Sequence, residues 1–209
     1  MAASVLLFMC TAGISVSAAP FSIQRLEDRI NSSEISFSYT YSVSGGKVSM
    51  TGQGSAVLQG DAYILDVDGM EVYCDGTARW TLDRKAEELV VESCDTYPAS
   101  LSANPVLLLQ SPTSFFDVSS QSAAVYSGMD AIKVELAPKQ GTQLKAVTLY
   151  FRSWQQEDGI LIGASVRAAD GTVTDFTISD FRYSAKGDAS RFSFDSASLG
   201  PEWIVTDLR

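Results

Sequence analysis

The chain contains no histidine. That absence removes the commonest general base, every Ser-His-Asp or Cys-His arrangement, and histidine-metal sites. It has three cysteines in 209 residues, none at metal-ligand spacing, and no Walker loop or dinucleotide glycine pattern. Basic residues are scarce: 15 Lys and Arg stand against 25 Asp and Glu, for a net charge of -10. Such a chain repels phosphate backbones, so nucleic acid is excluded as an expected partner. The same charge disfavours adsorption to an anionic membrane surface. No apolar run reaches the roughly 20 residues of a membrane-spanning helix. Catalytic residues, a metal and a cofactor are therefore not expected.

Charge is missing altogether from Met1 to Ala19. There, Val5-Leu6-Leu7-Phe8-Met9-Cys10 leads into Ser15-Val16-Ser17-Ala18-Ala19. This reads as the apolar core and small-residue cleavage site of a secretory signal, although the usual basic residue near Met1 is absent. Cleavage after Ala18 fits best, because cleavage one residue later would set Pro20 against the bond. Met9 before Cys10 is too large for a lipidation site. The expectation is a signal over 1–18 and one soluble domain over 19–209.

Two cysteines remain in that domain, Cys74 and Cys94. An oxidising compartment allows a bridge. The strand pattern places them on strands flanking a third, two spacings or roughly 9–10 Å apart. A bridge would need the sheet to curl or end there. The residues leave both arrangements open.

A helix is expected from Ser22 to Glu34, capped by Ser22, with Ile23, Leu26 and Ile30 on one face. The period then changes to two. Ile35, Phe37, Tyr39, Tyr41 and Val43 alternate with Ser36, Ser38, Thr40 and Ser42, a strand with one buried side. Gly45-Gly46, Asp68-Gly69 and Asp75-Gly76 separate further alternating runs, which is strong hairpin chemistry. Thr96 to Val118 breaks the pattern. It holds Pro98, Pro105 and Pro112 and two apolar clusters, Val106-Leu107-Leu108-Leu109 and Phe115-Phe116, which suggests short helices or a packed loop. Alternation resumes near Ala131 and continues to a last short run at Phe192 and Phe194. About ten to twelve strands result. The fold expected is mainly β (α+β), a single strongly curved antiparallel sheet forming an incomplete barrel, with short helices as a lid on its concave face.

The inward set is read as Phe37, Tyr39, Tyr41, Met50, Tyr63, Leu65, Trp80, Leu82, Leu149, Phe151, Ile160, Ile162, Phe176 and Ile178. Leu107, Leu108, Phe115 and Phe116 cover it from the lid. So few helical residues cannot cover a whole sheet face, and an apolar cavity is expected to remain.

The order of elements resembles the LolA family of periplasmic lipoprotein carriers, in its divergent Bacteroidetes-type branch. A helix followed by Phe37-Ser38-Tyr39 opens the domain. Gly54 to Gly60 precedes Tyr63-Ile64-Leu65. Asp75-Gly76-Thr77-Ala78-Arg79-Trp80-Thr81-Leu82 is similar to the family's Asp-Gly-x-x-x-Trp-x-Tyr segment. Asn104-Pro105-Val106-Leu107-Leu108-Leu109, Leu136-Ala137-Pro138-Lys139, Asp170-Gly171-Thr172-Val173-Thr174 and Phe192-Ser193-Phe194 match later elements. The resemblance implies an unclosed barrel whose lidded cavity takes the acyl chains of lipoproteins. It also implies a periplasmic location, an inner-membrane releasing transporter and an outer-membrane acceptor. The family's arginine ahead of the Tyr63-like strand, which bonds the lid, has no counterpart in Leu58-Gln59-Gly60-Asp61. Two other functions stand beside the carrier: an acyl-sensing module for envelope stress on the same fold, and a hydrolase built on a carboxylate pair.

Overall fold

The computed structural model describes residues 22–45, 48–94, 104–139, 144–152 and 159–209. The expected signal, Gly46 and Pro98 lie outside the described residues. Helix α1 spans Ile23–Ser32, and the Ser22 hydroxyl accepts from the Arg25 amide. Its Leu26 and Ile30 are buried.

Twelve strands follow: β1 (Glu34–Gly45), β2 (Val48–Gln59), β3 (Ala62–Val67), β4 (Met70–Cys74), β5 (Ala78–Asp83), β6 (Glu88–Ser93), β7 (Phe116–Tyr126), β8 (Met129–Pro138), β9 (Leu144–Phe151), β10 (Leu161–Ala168), β11 (Val173–Ser184) and β12 (Ile204–Asp207). They form one sheet in the order β12-β6-β5-β4-β3-β2-β1-β11-β10-β9-β8-β7. The end strands do not pair, so the curved sheet is an incomplete barrel. β1 joins the two meanders, pairing with β2 on one side and β11 on the other. A 3₁₀ turn at Pro105–Leu108 and the short helix α2 (Pro112–Phe115) lie between β6 and β7.

Three elements differ from the sequence expectation. Strand β7 is hidden in the sequence because Ser119 to Ala124 are small or polar and show no apolar alternation. It is an edge strand exposed along most of its length, which needs no buried side. Phe192 closes a 3₁₀ turn at Ala189–Phe192 instead of a strand. The last strand, β12, pairs parallel with β6.

The bridge between Cys74 and Cys94 forms, with Cα atoms 6.8 Å apart. Cys74 pairs with Arg79 of β5, but Cys94 lies past the end of β6, opposite Thr77 and ahead of the start of β5 at Ala78. Asp75 Oδ1 accepts from the Thr77 and Ala78 amides, and the Cys94 amide bonds the Thr77 carbonyl. The cysteines thus face each other across a turn at the strand's end, which keeps the Cα separation within the limit of about 7 Å.

Candidate functional site

Residues directly opposite in an antiparallel ladder share a face. From β1, the inner face is Ile35, Phe37, Tyr39, Tyr41 and Val43. It continues through Ala56 and Leu58 on β2, Tyr63 and Leu65 on β3, and Val72 and Cys74 on β4. In the other direction it runs through Phe176 and Ile178 on β11, Ala164 and Val166 on β10, Leu149 and Phe151 on β9, and Val134 and Leu136 on β8. All of these side chains except Val43 belong to one apolar cluster with Leu26 and Ile30 of α1. A bulge in the β1–β11 pairing, where Asp180 takes a positive φ, turns Phe181 inward as well. Its ring stacks on Phe37 at 5.8 Å between centroids.

Residues 104–116 pack on this face. Val106, Leu108, Leu109 and Phe116 are buried in the cluster, and Leu107 and Phe115 are half-buried against it. Polar contacts also hold the segment, among them the Lys139 amide donating to the Phe115 carbonyl at 2.9 Å. Gln110 Nε2 donates to the Asp61 carbonyl at 2.9 Å, and the Thr113 amide to Glu27 Oε2 of α1 at 2.9 Å. Lys139 Nζ bonds the Thr113 carbonyl at 2.6 Å. No arginine takes part in these bonds.

Four expected residues stand elsewhere. Met50 lies in the inner-face row opposite Val43 but beyond the helices, and is 49% exposed. Ile162 is buried, yet it is the extra residue of a bulge in the β9–β10 pairing, and Leu161 takes its place opposite Phe151 in the cluster. Trp80 and Leu82 are on the opposite face. Register pairs Cys74 with Arg79 and Tyr73 with Trp80, so the side that is apolar on β4 continues as Arg79, Thr81 and Asp83. Trp80 and Leu82 form a second cluster with Ala78, Leu89 and Val91, against which Tyr73, Phe194, Leu199 and Trp203 pack. Ile160 and Tyr41 are half-buried at the rim of the main cluster.

Polar groups at the face are arranged around the tyrosines. The Tyr41 hydroxyl donates to Asp68 Oδ2 at 2.5 Å, while Asp68 Oδ1 accepts from the Gln53 amide. The Tyr41 ring reaches Asp68 by lying across Gly52, and the Tyr39 ring lies across Gly54. A Cβ at either glycine would strike the ring. The hydrogen bond to Asp68 and partial burial push Tyr41 up to about 12, and the same bond holds the Asp68 carboxyl below its ordinary value. The Tyr39 hydroxyl is buried without a partner, and burial raises its pKa further. On the outer face, a polar trough of about 570 Å³ is lined by residues including Ser38, Gln53, Ser55, Asp66 and Asp68.

Arg79, which the sequence reading leaves out of the site, stands in the inner-face row of Ile35, Leu58, Tyr63 and Cys74, at the end of the strands. Its Nη2 bonds Glu92 Oε2 at 2.5 Å. Tyr63 lies beside it and also meets Asn104. Burial raises the Tyr63 pKa, and its contacts with Arg79 and Asn104 offset part of that rise. Among the described residues no three His, Cys, Asp or Glu side chains are grouped to hold a metal, and no helix is long and apolar enough to cross a membrane.

No family model and no curated protein matches the sequence. Solved structures do. An uncharacterized conserved protein from Thermus thermophilus superposes with a TM-score of 0.53 at 11% identity, over 88% of this chain and 98% of that one. A LolA superfamily protein from Nitrosomonas europaea gives 0.46 at 10% identity, over 84% and 99%. The lipoprotein LppX of Mycobacterium tuberculosis gives 0.37 at 15% identity, over 80% and 100%. At such identities likeness concerns the fold alone. The Thermus protein carries that likeness: this chain shares its fold over nearly the whole of both.

Proposed function

We propose that this protein is a periplasmic carrier that binds the acyl chains of lipoproteins against its inner face and moves them from the inner to the outer membrane. The single observation that carries the reading is the cover over that face. Two short proline-started helical pieces and the residues that follow them press Val106, Leu108, Leu109 and Phe116 into an apolar sheet surface. Pieces of four residues have little helical stability of their own. Their apolar contacts can be exchanged for contacts with an acyl chain at modest net cost. The Cys74–Cys94 bridge suits an oxidising compartment. The motif resemblance supplies the cargo, the releasing transporter and the acceptor.

The hydrolase reading has less support. Glycoside hydrolysis requires a carboxyl group whose pKa is raised so that it can donate a proton. Asp68, Glu71, Asp75 and Glu135 are all shifted the other way. Purification from an envelope fraction followed by organic extraction tests the proposal. Bound acyl lipid and co-purifying lipoproteins are expected. Acyl lipid without lipoproteins would favour a sensing module, and an empty extract would contradict both.

A further inference from the structure

The inner-face row at the Ile35 end of the sheet changes character at β5. Across β1 to β4 it reads Ile35, Leu58, Tyr63 and Cys74, each 2% exposed or less. Its next two members are Arg79 and Glu92. Four strand spacings of about 4.8 Å separate β5 from β1, about 19 Å measured along the curved sheet. The cover begins beside this row, since Asn104, which caps the Pro105–Leu108 turn, neighbours Tyr63.

One donor of the Arg79 guanidinium is unused. Arg79 Nε is buried and has no acceptor. Nη2 is taken by Glu92, which is itself 35% exposed. A buried donor left without an acceptor is costly, and charge-assisted bonds to oxygen are among the stronger ones. An oxygen acceptor presented from the apolar side would relieve that cost.

We infer that Arg79 recognises the carbonyl or carboxylate oxygen at the head of a bound acyl chain, whose methylenes lie along the row toward β1. The inference rests on the carrier reading and adds a polarity to it: the apolar face has a defined head end at β5. Arg79 Nε donates to the acyl oxygen, Tyr63 flanks it, and Glu92 competes as the resident anion.

Displacement of an environment-sensitive apolar dye from the full protein tests this. Three probes of one chain length are compared below their micellar concentrations: dodecanoate, methyl dodecanoate and dodecyltrimethylammonium, the last having no acceptor. Arg79→Met should weaken dodecanoate about tenfold, as loss of a charge-assisted bond implies. It should weaken the ester less and leave the ammonium unchanged. Glu92→Gln should instead strengthen dodecanoate, because it frees the guanidinium. Equal weakening of all three probes by Arg79→Met, or weaker dodecanoate binding in both variants, would mean that the ion pair merely holds the structure and would overturn the inference. Wild-type binding of the three probes without preference would also overturn it while leaving the carrier reading intact. Failure of every probe to displace the dye would overturn both.

Discussion

At the scale of single residues, the sharpest feature is the Tyr41–Asp68 hydrogen bond. It joins β1 to the β3–β4 turn across a glycine, and it has consequences at both ends of the pH range. Tyr41 is raised from 10.0 to about 12 in the fold. Its contribution to stability is complete below pH 10 and is lost as pH rises towards 12, because the unfolded tyrosine ionises first. Asp68 is depressed below its ordinary 3.8. Its contribution is present above that value and is lost as pH falls through the folded pKa. Tyr41→Phe should lower Tm at neutral pH and flatten the decline above pH 10 relative to wild type. Identical Tm profiles for the two proteins would show that the bond does not form in solution. None of this pairing is legible in the sequence, since Asp68 reads as half of an Asp-Gly hairpin turn and nothing more. Gly52 and Gly54 stand under the rings of Tyr41 and Tyr39, where a Cβ would strike them.

At the scale of elements, the two faces of the sheet divide the apolar residues by function. Trp80 belongs to the outer cluster beneath Phe194, Leu199 and Trp203. Trp80→Ala should therefore cost about 3–5 kcal/mol of stability, the range for deleting a large buried aromatic, and leave acyl binding unchanged in the protein that remains folded. Phe37→Ala removes a ring from the inner cluster and should change both. Binding lost in Trp80→Ala and retained in Phe37→Ala would reverse this assignment of faces. The sequence alternation shows that β3 and β5 each have an apolar side, but not that the sides differ. The difference lies in the turns. The β3–β4 turn is two residues, and Cys74 pairs with Arg79 across four. Both are even, so odd positions of β3 share a face with odd positions of β5, and Tyr63 meets Arg79 instead of Trp80. By contrast β1, clamped between two long partners, shows its buried side in sequence alone. The cover makes its own prediction. In the empty protein the amides of Val106 to Phe116 should exchange faster than those of Leu161 to Val166, and a lipopeptide should slow them. Equal protection in both segments, unaltered by lipopeptide, would make the cover ordinary core.

At the scale of the whole molecule, an open sheet of twelve strands is fastened at three kinds of place. The bridge between Cys74 and Cys94 closes a loop of 20 residues next to the segment that leads into the cover. Reduction should lower stability by roughly 3 kcal/mol by chain-entropy reasoning, with no change if the bridge is absent from the native protein. On the far side of the sheet, Tyr126 at the tip of the β7–β8 hairpin stacks on Tyr150 at 4.4 Å. It lies over Gly163 and donates to the Phe176 carbonyl at 3.0 Å. This fastens the edge hairpin over three neighbouring strands. The helices then seal the inner face between these two anchors. Open architecture and apolar inner face can both be read from the period-two runs and the scarcity of helix. The edges cannot, because edge strands are released from alternation.

Whether the inner face receives an acyl chain is decided by the dependence of binding on chain length. A series of lipopeptides differing only in acyl length should displace an apolar dye with affinity that rises by up to about 0.8 kcal/mol per methylene. The rise should stop once the covered face is filled. Affinity that stays flat from the shortest chain to the longest would mean adsorption to the surface and would contradict the account.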